Sequence, residues 1–241
     1  MAAKATAGER AAALIGRVAE AQRQATGKVF TGHPSVKRLL AMTRAALARA
    51  DRAIDRVNKL VPPEKPVACG AGCPFCCHIR LTASPPEILL VADHLRQTQT
   101  PAELEVSKRR VANMDYLTRG KNEARRETMR LPCAMLVDRS CAIHKVRPLS
   151  CRAVASVDLP ACERAYASRM SEPVPQVRLQ GMAADGVGYG LIAGLAESGH
   201  DVENLEFNAG LNIALETDNA AQRWLHGDDL FAPAMEVEDV S

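Results

Sequence analysis

Four cysteines fall within nine residues of this chain, in the stretch Cys69-Gly70-Ala71-Gly72-Cys73-Pro74-Phe75-Cys76-Cys77-His78. The other four, Cys133, Cys141, Cys151 and Cys162, fall within one stretch of 30 residues. Any fold must therefore accommodate two dense thiol clusters between residues 69 and 162. How the sulfurs are used depends on the compartment. No apolar run reaches the roughly 18 residues of a membrane span. At the N-terminus Glu9, Arg10, Arg17 and Glu20 interrupt what would be the apolar region of a signal peptide. The expected location is cytoplasmic, with no membrane partner. In a reducing compartment clustered cysteines are better metal ligands than disulfides. Single buried thiols are common, but they do not gather four to nine residues.

The core must be built from small aliphatic residues, because the chain is 47% hydrophobic but only 3% aromatic. That composition suits close-packed helices. The expected fold class is mainly α: irregular cysteine-rich metal-binding loops with one short β-hairpin, flanked by helices. The expected organisation is a basic amphipathic helical extension over 1–61, a cysteine-cluster domain with C-terminal helices over 62–233, and an acidic tail over 234–241.

The first 61 residues read as helix, with breaks at Thr26-Gly27 and at Thr31-Gly32-His33-Pro34. From Val36 a stripe runs through Leu40, Thr43, Leu47, Ala50, Ile54, Val57 and Val61 in steps of four and three, the mark of an amphipathic helix. Lys37, Arg38, Arg44, Arg49, Arg52, Arg56 and Lys59 make its other face. Residues 1–60 hold 12 basic and 4 acidic groups, net +8, whereas residues 201–241 hold 1 and 10, net −9. A basic face can dock an acidic partner or stay solvated and be neutralised by the chain's own acidic end. Nucleic acid is disfavoured, since Phe30 is the one aromatic available for stacking there.

Pro62-Pro63 ends this helix. Gly70, Gly72 and Pro74 make the first cluster a loop, and glycines let backbone N–H groups approach the sulfurs. Ser84-Pro85-Pro86-Glu87 and Thr100-Pro101-Ala102-Glu103 are capping boxes that open two helices, the second reaching about residue 129 with Gly120 as its weak point. In the second cluster Ala134–Val137 and Cys141–His144 are short extended segments about an Asp-Arg-Ser turn. Further on, Gly186, Gly190 and Gly194 recur every four residues and leave one helical face without side chains, which implies close helix packing. The Gly-Val-Gly-Tyr-Gly run there is no dinucleotide fingerprint, since no strand precedes it. Gly199 is a C-cap, a helix runs from about Val202 to Glu216, and a last one carries Trp224. A protein partner, if there is one, would meet the basic helix or the glycine-rich one.

The order Cys-x3-Cys-x2-Cys-Cys, then Pro-Cys, Cys-x-Ile, Arg-Pro-x-x-Cys and a final Cys resembles the YkgJ-like cysteine cluster family, described as zinc- or iron-chelating. The matching positions are Cys69, Cys73, Cys76, Cys77, Cys133, Cys141, Cys151 and Cys162, with Pro132, Ile143, Arg147 and Pro148. His144 stands where that family usually carries an aromatic. The resemblance spans residues 69–162 and implies metal binding through the eight cysteines. The flagellin lysine methylases form one branch of it, but no methylase signature outside the cysteines carries that activity to this chain.

Ligand chemistry favours iron–sulfur, most simply a 4Fe-4S cluster, over zinc. Zinc usually takes paired Cys-x2-Cys knuckles, and only Cys73 and Cys76 have that spacing. Adjacent side chains such as Cys76 and Cys77 are expected to diverge, and a polynuclear centre tolerates such crowding better. Cys69-x3-Cys73-x-Phe75-Cys76 also matches the spacing of radical S-adenosylmethionine enzymes, but the strand–helix alternation of their barrel is missing. Arg147 and Arg152 are candidates to cap an anionic cluster. His78 and His144 sit beside the ligands without being needed as such. Two classes of function stay open: a working centre for redox chemistry, metal delivery or a modification reaction, and a zinc-stapled binding module.

Overall fold

The computed structural model describes residues 5–200 and 203–235. Among these, ten α-helices and two two-stranded antiparallel ladders make a mainly helical protein. Helices α1 (Ala7–Phe30) and α2 (Val36–Leu60) form a long hairpin. Thr6 and Glu9 cap the first reciprocally, and the Ser35 side chain accepts from the Arg38 N–H at the start of the second. The break expected at Thr26-Gly27 does not form. There the Thr26 hydroxyl donates to the Gln22 carbonyl inside the helix, and burial of Thr26 outweighs the helix cost of one glycine, about 1 kcal/mol. The turn comes at Thr31–Pro34, where Gly32 has φ +76°.

The buried stripe of α2 is wider than the one expected, adding Leu39, Met42, Ala46 and Ala53. Two neighbours require it: α1 on one side and α8 (Arg178–Ala196) on the other. Glycines let α8 come close. A Cβ on Gly190 would stand 2.1 Å from the Ala19 carbonyl oxygen, and one on Gly194 2.5 Å from that of Arg23. The glycine face is thus packed against α1. One buried cluster runs from Val29 through Leu47, Leu90, Leu195 and Leu211 to Trp224. Residues 7–60 share this core rather than standing off as an extension.

Helices α3 (Pro85–Thr98) and α4 (Pro101–Thr118) begin at the two capping boxes. The second helix stops short of residue 129: Gly120, at φ +74°, separates it from α5 (Glu123–Met129). Strands β2 (Leu136–Val137) and β3 (Ser140–Cys141) are the expected hairpin, with Asp138 and Arg139 both at positive φ as a two-residue turn demands. A second ladder was not foreseen, in which β1 (Thr82–Ala83) pairs with β4 (Leu205–Glu206) and leads directly into α9 (Phe207–Glu216). The helix expected from Val202 therefore starts five residues later, and residues 201 and 202 lie outside those described. Helices α6 (Leu149–Ala153) and α7 (Leu159–Ala167) carry Cys151 and Cys162, and α10 (Ala220–Leu225) carries Trp224. Of the acidic tail, Ala234 and Met235 close a short turn on Phe231 and Ala232, and 236–241 lie outside the described residues.

Candidate metal centre

The first cysteine loop is stitched to the second cluster along its length. The Ala68 N–H donates to the Ser156 carbonyl at 2.8 Å, and the Ser156 N–H donates back to Cys69 Sγ at 3.3 Å. In the middle, Arg139 Nε donates to the Gly72 carbonyl at 3.3 Å. At the far end the Cys133 N–H donates to the Cys77 carbonyl at 2.6 Å. Gly72 turns the loop at φ +83°, after which Phe75–His78 winds into one 3-10 turn. The Tyr166 ring of α7 holds that turn from outside, with its centroid 5.9 Å from Phe75 and 4.7 Å from His78, and Arg130 lies over it at 4.5 Å.

Glu87 fixes the opposite wall. Its carboxylate accepts from the Ser84 N–H and hydroxyl at 2.9 and 2.6 Å, as the capping box predicts, and also from the Leu149 N–H at 2.7 Å. One buried carboxylate thus caps α3 and the short helix that presents Cys151. The Ser150 hydroxyl donates to the Thr82 carbonyl at 2.6 Å and ties that helix to β1.

These restraints place the cysteines around two adjoining cavities. The inner one, about 160 Å³, is lined by Cys76, Cys77, Cys133, Cys141 and Cys151, with Arg80 and Arg147. The outer one, about 70 Å³, is lined by Cys69, Cys73, Cys76 and Cys162, with Phe75 and Met170. Cys76 belongs to both walls. All eight cysteines are free thiols. Cys76 and Cys77 do not diverge: both stand on the wall of the inner cavity, close enough for their thiols to interact. That contact, followed by burial, pushes the Cys76 thiol well above its ordinary value.

Burial likewise raises Cys73, Cys141 and Cys162, pushes Cys133 up to about 12, and raises Cys151 well above its ordinary value. Backbone donors work in the opposite sense. The Met135 N–H donates to Cys133 Sγ at 3.5 Å, and the N–H groups of Phe75 and Ile143 bond to Cys73 and Cys141 in the same two-residue relation. Such donors stabilise thiolate charge. Without a metal these thiols stay protonated, which is not the environment of reactive nucleophiles.

Of the two arginines singled out in the sequence, Arg147 lines the inner cavity and its buried Nε has no hydrogen-bond partner among the described residues. Arg152 does not face the sulfurs. It is 4% exposed, and its nitrogens are taken by Asp51 of α2 and by the carbonyls of Arg147 and Lys145. Its work is to fasten the second cluster to the helical frame. His78 turns Nδ1 to the Pro74 carbonyl at 3.0 Å and its ring to Tyr166, while His144 is exposed on the side of Asp51, Arg147 and Arg152. Two residues escaped the sequence reading. Arg80 shares the cavity wall, and Arg126, on α5, lies within electrostatic reach of Cys133 and Glu206. Arg80 follows the first cluster by three residues and could have been noticed, but nothing near Arg126 in the sequence pointed to it.

Among the described residues no three His, Cys, Asp or Glu side chains are drawn to a single point at ion-binding distance. The sulfurs line walls instead. An all-sulfur donor set suits soft ions and iron–sulfur cores, and the inner volume, several times the roughly 30 Å³ of a liquid water molecule, suits a polynuclear core better than one ion. The residues present fit such a group. No helix among the described residues is long and apolar enough to cross a membrane, and the helical architecture offers the Cys69, Cys73, Cys76 spacing no barrel. Comparison with protein-family models, with curated proteins and with solved structures finds no match to this chain.

Proposed function

We propose that this protein is a metal–thiolate protein that holds iron–sulfur through its cysteines, with Cys77, Cys133, Cys141 and Cys151 serving the inner cavity and Cys69, Cys73 and Cys162, together with Cys76, the outer. The observation that carries the proposal is the meeting of two remote cysteine clusters around two adjoining cavities with a wall sulfur in common. The resemblance to the YkgJ-like family supports the same ligand set. An iron–sulfur group supplies one-electron chemistry when bound. The chain's own part is to bring backbone N–H groups to the sulfurs and to keep water from the inner wall.

Zinc is the second reading, favoured by the depth of Cys133 and Cys151, since a closed four-thiolate site is how zinc braces irregular loops. The protein would then be a stapled module that meets an acidic partner through the solvated face of α2. Anaerobic purification with elemental analysis for iron, zinc and sulfide, and an absorption spectrum before and after dithionite, tests both readings. Iron with equimolar sulfide and a bleachable visible band supports the first, and zinc without colour supports the second. A metal-free protein whose Cys73→Ala and Cys76→Ala variants match the parent in stability removes both.

A further inference from the structure

Arg80 and Arg147 line the inner cavity, and Arg126 lies behind that wall, within electrostatic reach of Cys133 and Arg80. Arg126 is 1% exposed, and its Nε and Nη1 atoms are buried with no hydrogen-bond partner among the described residues. The buried Nε atoms of Arg80 and Arg147 are in the same condition. The carboxylate within reach is Glu206, and its oxygens already accept from the Ala209 N–H at 2.8 Å and from Asn208 Nδ2 at 2.9 Å. None of the three forms an ion pair among the described residues, and Arg126, the one fully buried, has a single carboxylate near it, so positive charge is in excess beside a cavity whose thiols are neutral when protonated. Buried charge is normally paired, and buried guanidinium N–H groups are normally bonded. The outer cavity differs, because no arginine lines it.

We infer that Arg80, Arg126 and Arg147 form a cationic collar that selects an anionic thiolate centre for the inner cavity and retains it by charge as well as by ligation. The inference rests on the metal–thiolate reading and adds a requirement to it. Four thiolates about one divalent ion, or about a four-iron core of charge +2, carry a net charge of −2, which offsets the excess. A neutral guest does not, nor does a disulfide between wall cysteines. The guanidinium N–H groups without partners are donors for thiolate sulfur. The collar thus sets how tightly the centre is held, and for an iron–sulfur core it favours the reduced, more negative state.

The test uses Zn²⁺ as probe in the full-length chain carrying Cys69→Ser and Cys162→Ser, which leaves the inner set complete. The anaerobically reduced, metal-stripped protein is titrated against a chromophoric chelator, and thermal midpoints are recorded with and without zinc. Arg126→Met should weaken zinc binding at least tenfold while raising the midpoint of the metal-free form, because an unpartnered buried cation has been removed. Arg126→Lys, which keeps the charge, should lie between the two in affinity. These opposite signs are what a purely structural arginine would not give. Unchanged zinc affinity in Arg126→Met overturns the collar alone. Absence of zinc binding in the Cys69→Ser, Cys162→Ser parent overturns the metal reading of the inner cavity, and the collar with it. Should Arg126→Met fail to fold, Arg80→Met, on a partly exposed residue, is held to the same affinity criterion.

Discussion

The seam between α1 and α8 and the walls around the cysteines follow opposite packing rules. At the seam there is no room for a methyl group, since a Cβ on Gly190 would overlap the Ala19 carbonyl oxygen. At the cysteines, cavities of about 160 and 70 Å³ are left between well-ordered turns, lined by groups that seldom bound voids. Protein interiors are close-packed, and unfilled space weakens them. A chain that closes one interface to the backbone can close another, so the space at the cysteines is kept by the stitches at Cys69, Cys133 and Glu87, not by default. Tight packing makes the frame, and open packing makes the site.

The largest expected effect comes from emptying the site. Stripping bound metal anaerobically should lower unfolding free energy by about 4 kcal/mol or more, the linkage expected of a ligand at roughly a thousand times its Kd. Denaturant titration of loaded and stripped protein reads this directly, and equal midpoints would mean that the open region is merely loose. Next is the seam: Gly190→Ala forces backbone against backbone and should destabilise by about 3 kcal/mol. A loss below about 1 kcal/mol would deny the frame its tightness. Glu87→Ala removes acceptors from two helix starts and should lose about 2 kcal/mol, together with metal, while Glu87→Gln loses less of both. Loss of stability with full metal retention would detach Glu87 from the site. Gly186→Ala meets Ile15 Cγ2 at 2.9 Å, a β-branch methyl held by the helix to one χ1 rotamer, and should lose about 1–2 kcal/mol as the helices shift apart slightly. Smallest and of opposite sign, Gly188→Ala meets Leu149 Cδ1 at an ordinary 3.9 Å and should gain up to about 1 kcal/mol from helix propensity. A loss there would extend the seam to a face where the structure leaves room.

What was legible in the sequence was local. The boxes at Ser84 and Thr100 declare themselves within four residues, the Asp138-Arg139 turn within two, and the glycine spacing of α8 within one helical face. All eight cysteines could be named because their spacing is itself the signal. The rest depends on chain segments far apart. Pairing of Thr82 with Glu206 joins strands two residues long, too short to show alternation. Gly27 stays helical because of neighbours 16 or more residues away, such as Met42, which touches Thr26. The second bond of Glu87 spans 62 residues, and Arg126 reaches the cysteines only through the packing of α5. The division of the sulfurs between two cavities is likewise a tertiary fact, as is the turning of Arg152 towards Asp51.

The position of Cys76 on a common wall has a thermodynamic consequence. Without it the inner cavity still has four sulfurs, whereas the outer has three. A guest that needs four thiolates in the outer cavity must therefore draw on a residue that the inner guest can also bind, and the two occupancies are linked. Whatever the inner guest gains from Cys76, the outer guest loses, and linkage makes the effect equal in both directions. If both cavities take such guests, they would behave as one system with a single contested ligand. The stable division would then be four and four, with Cys76 ceded to the outer side.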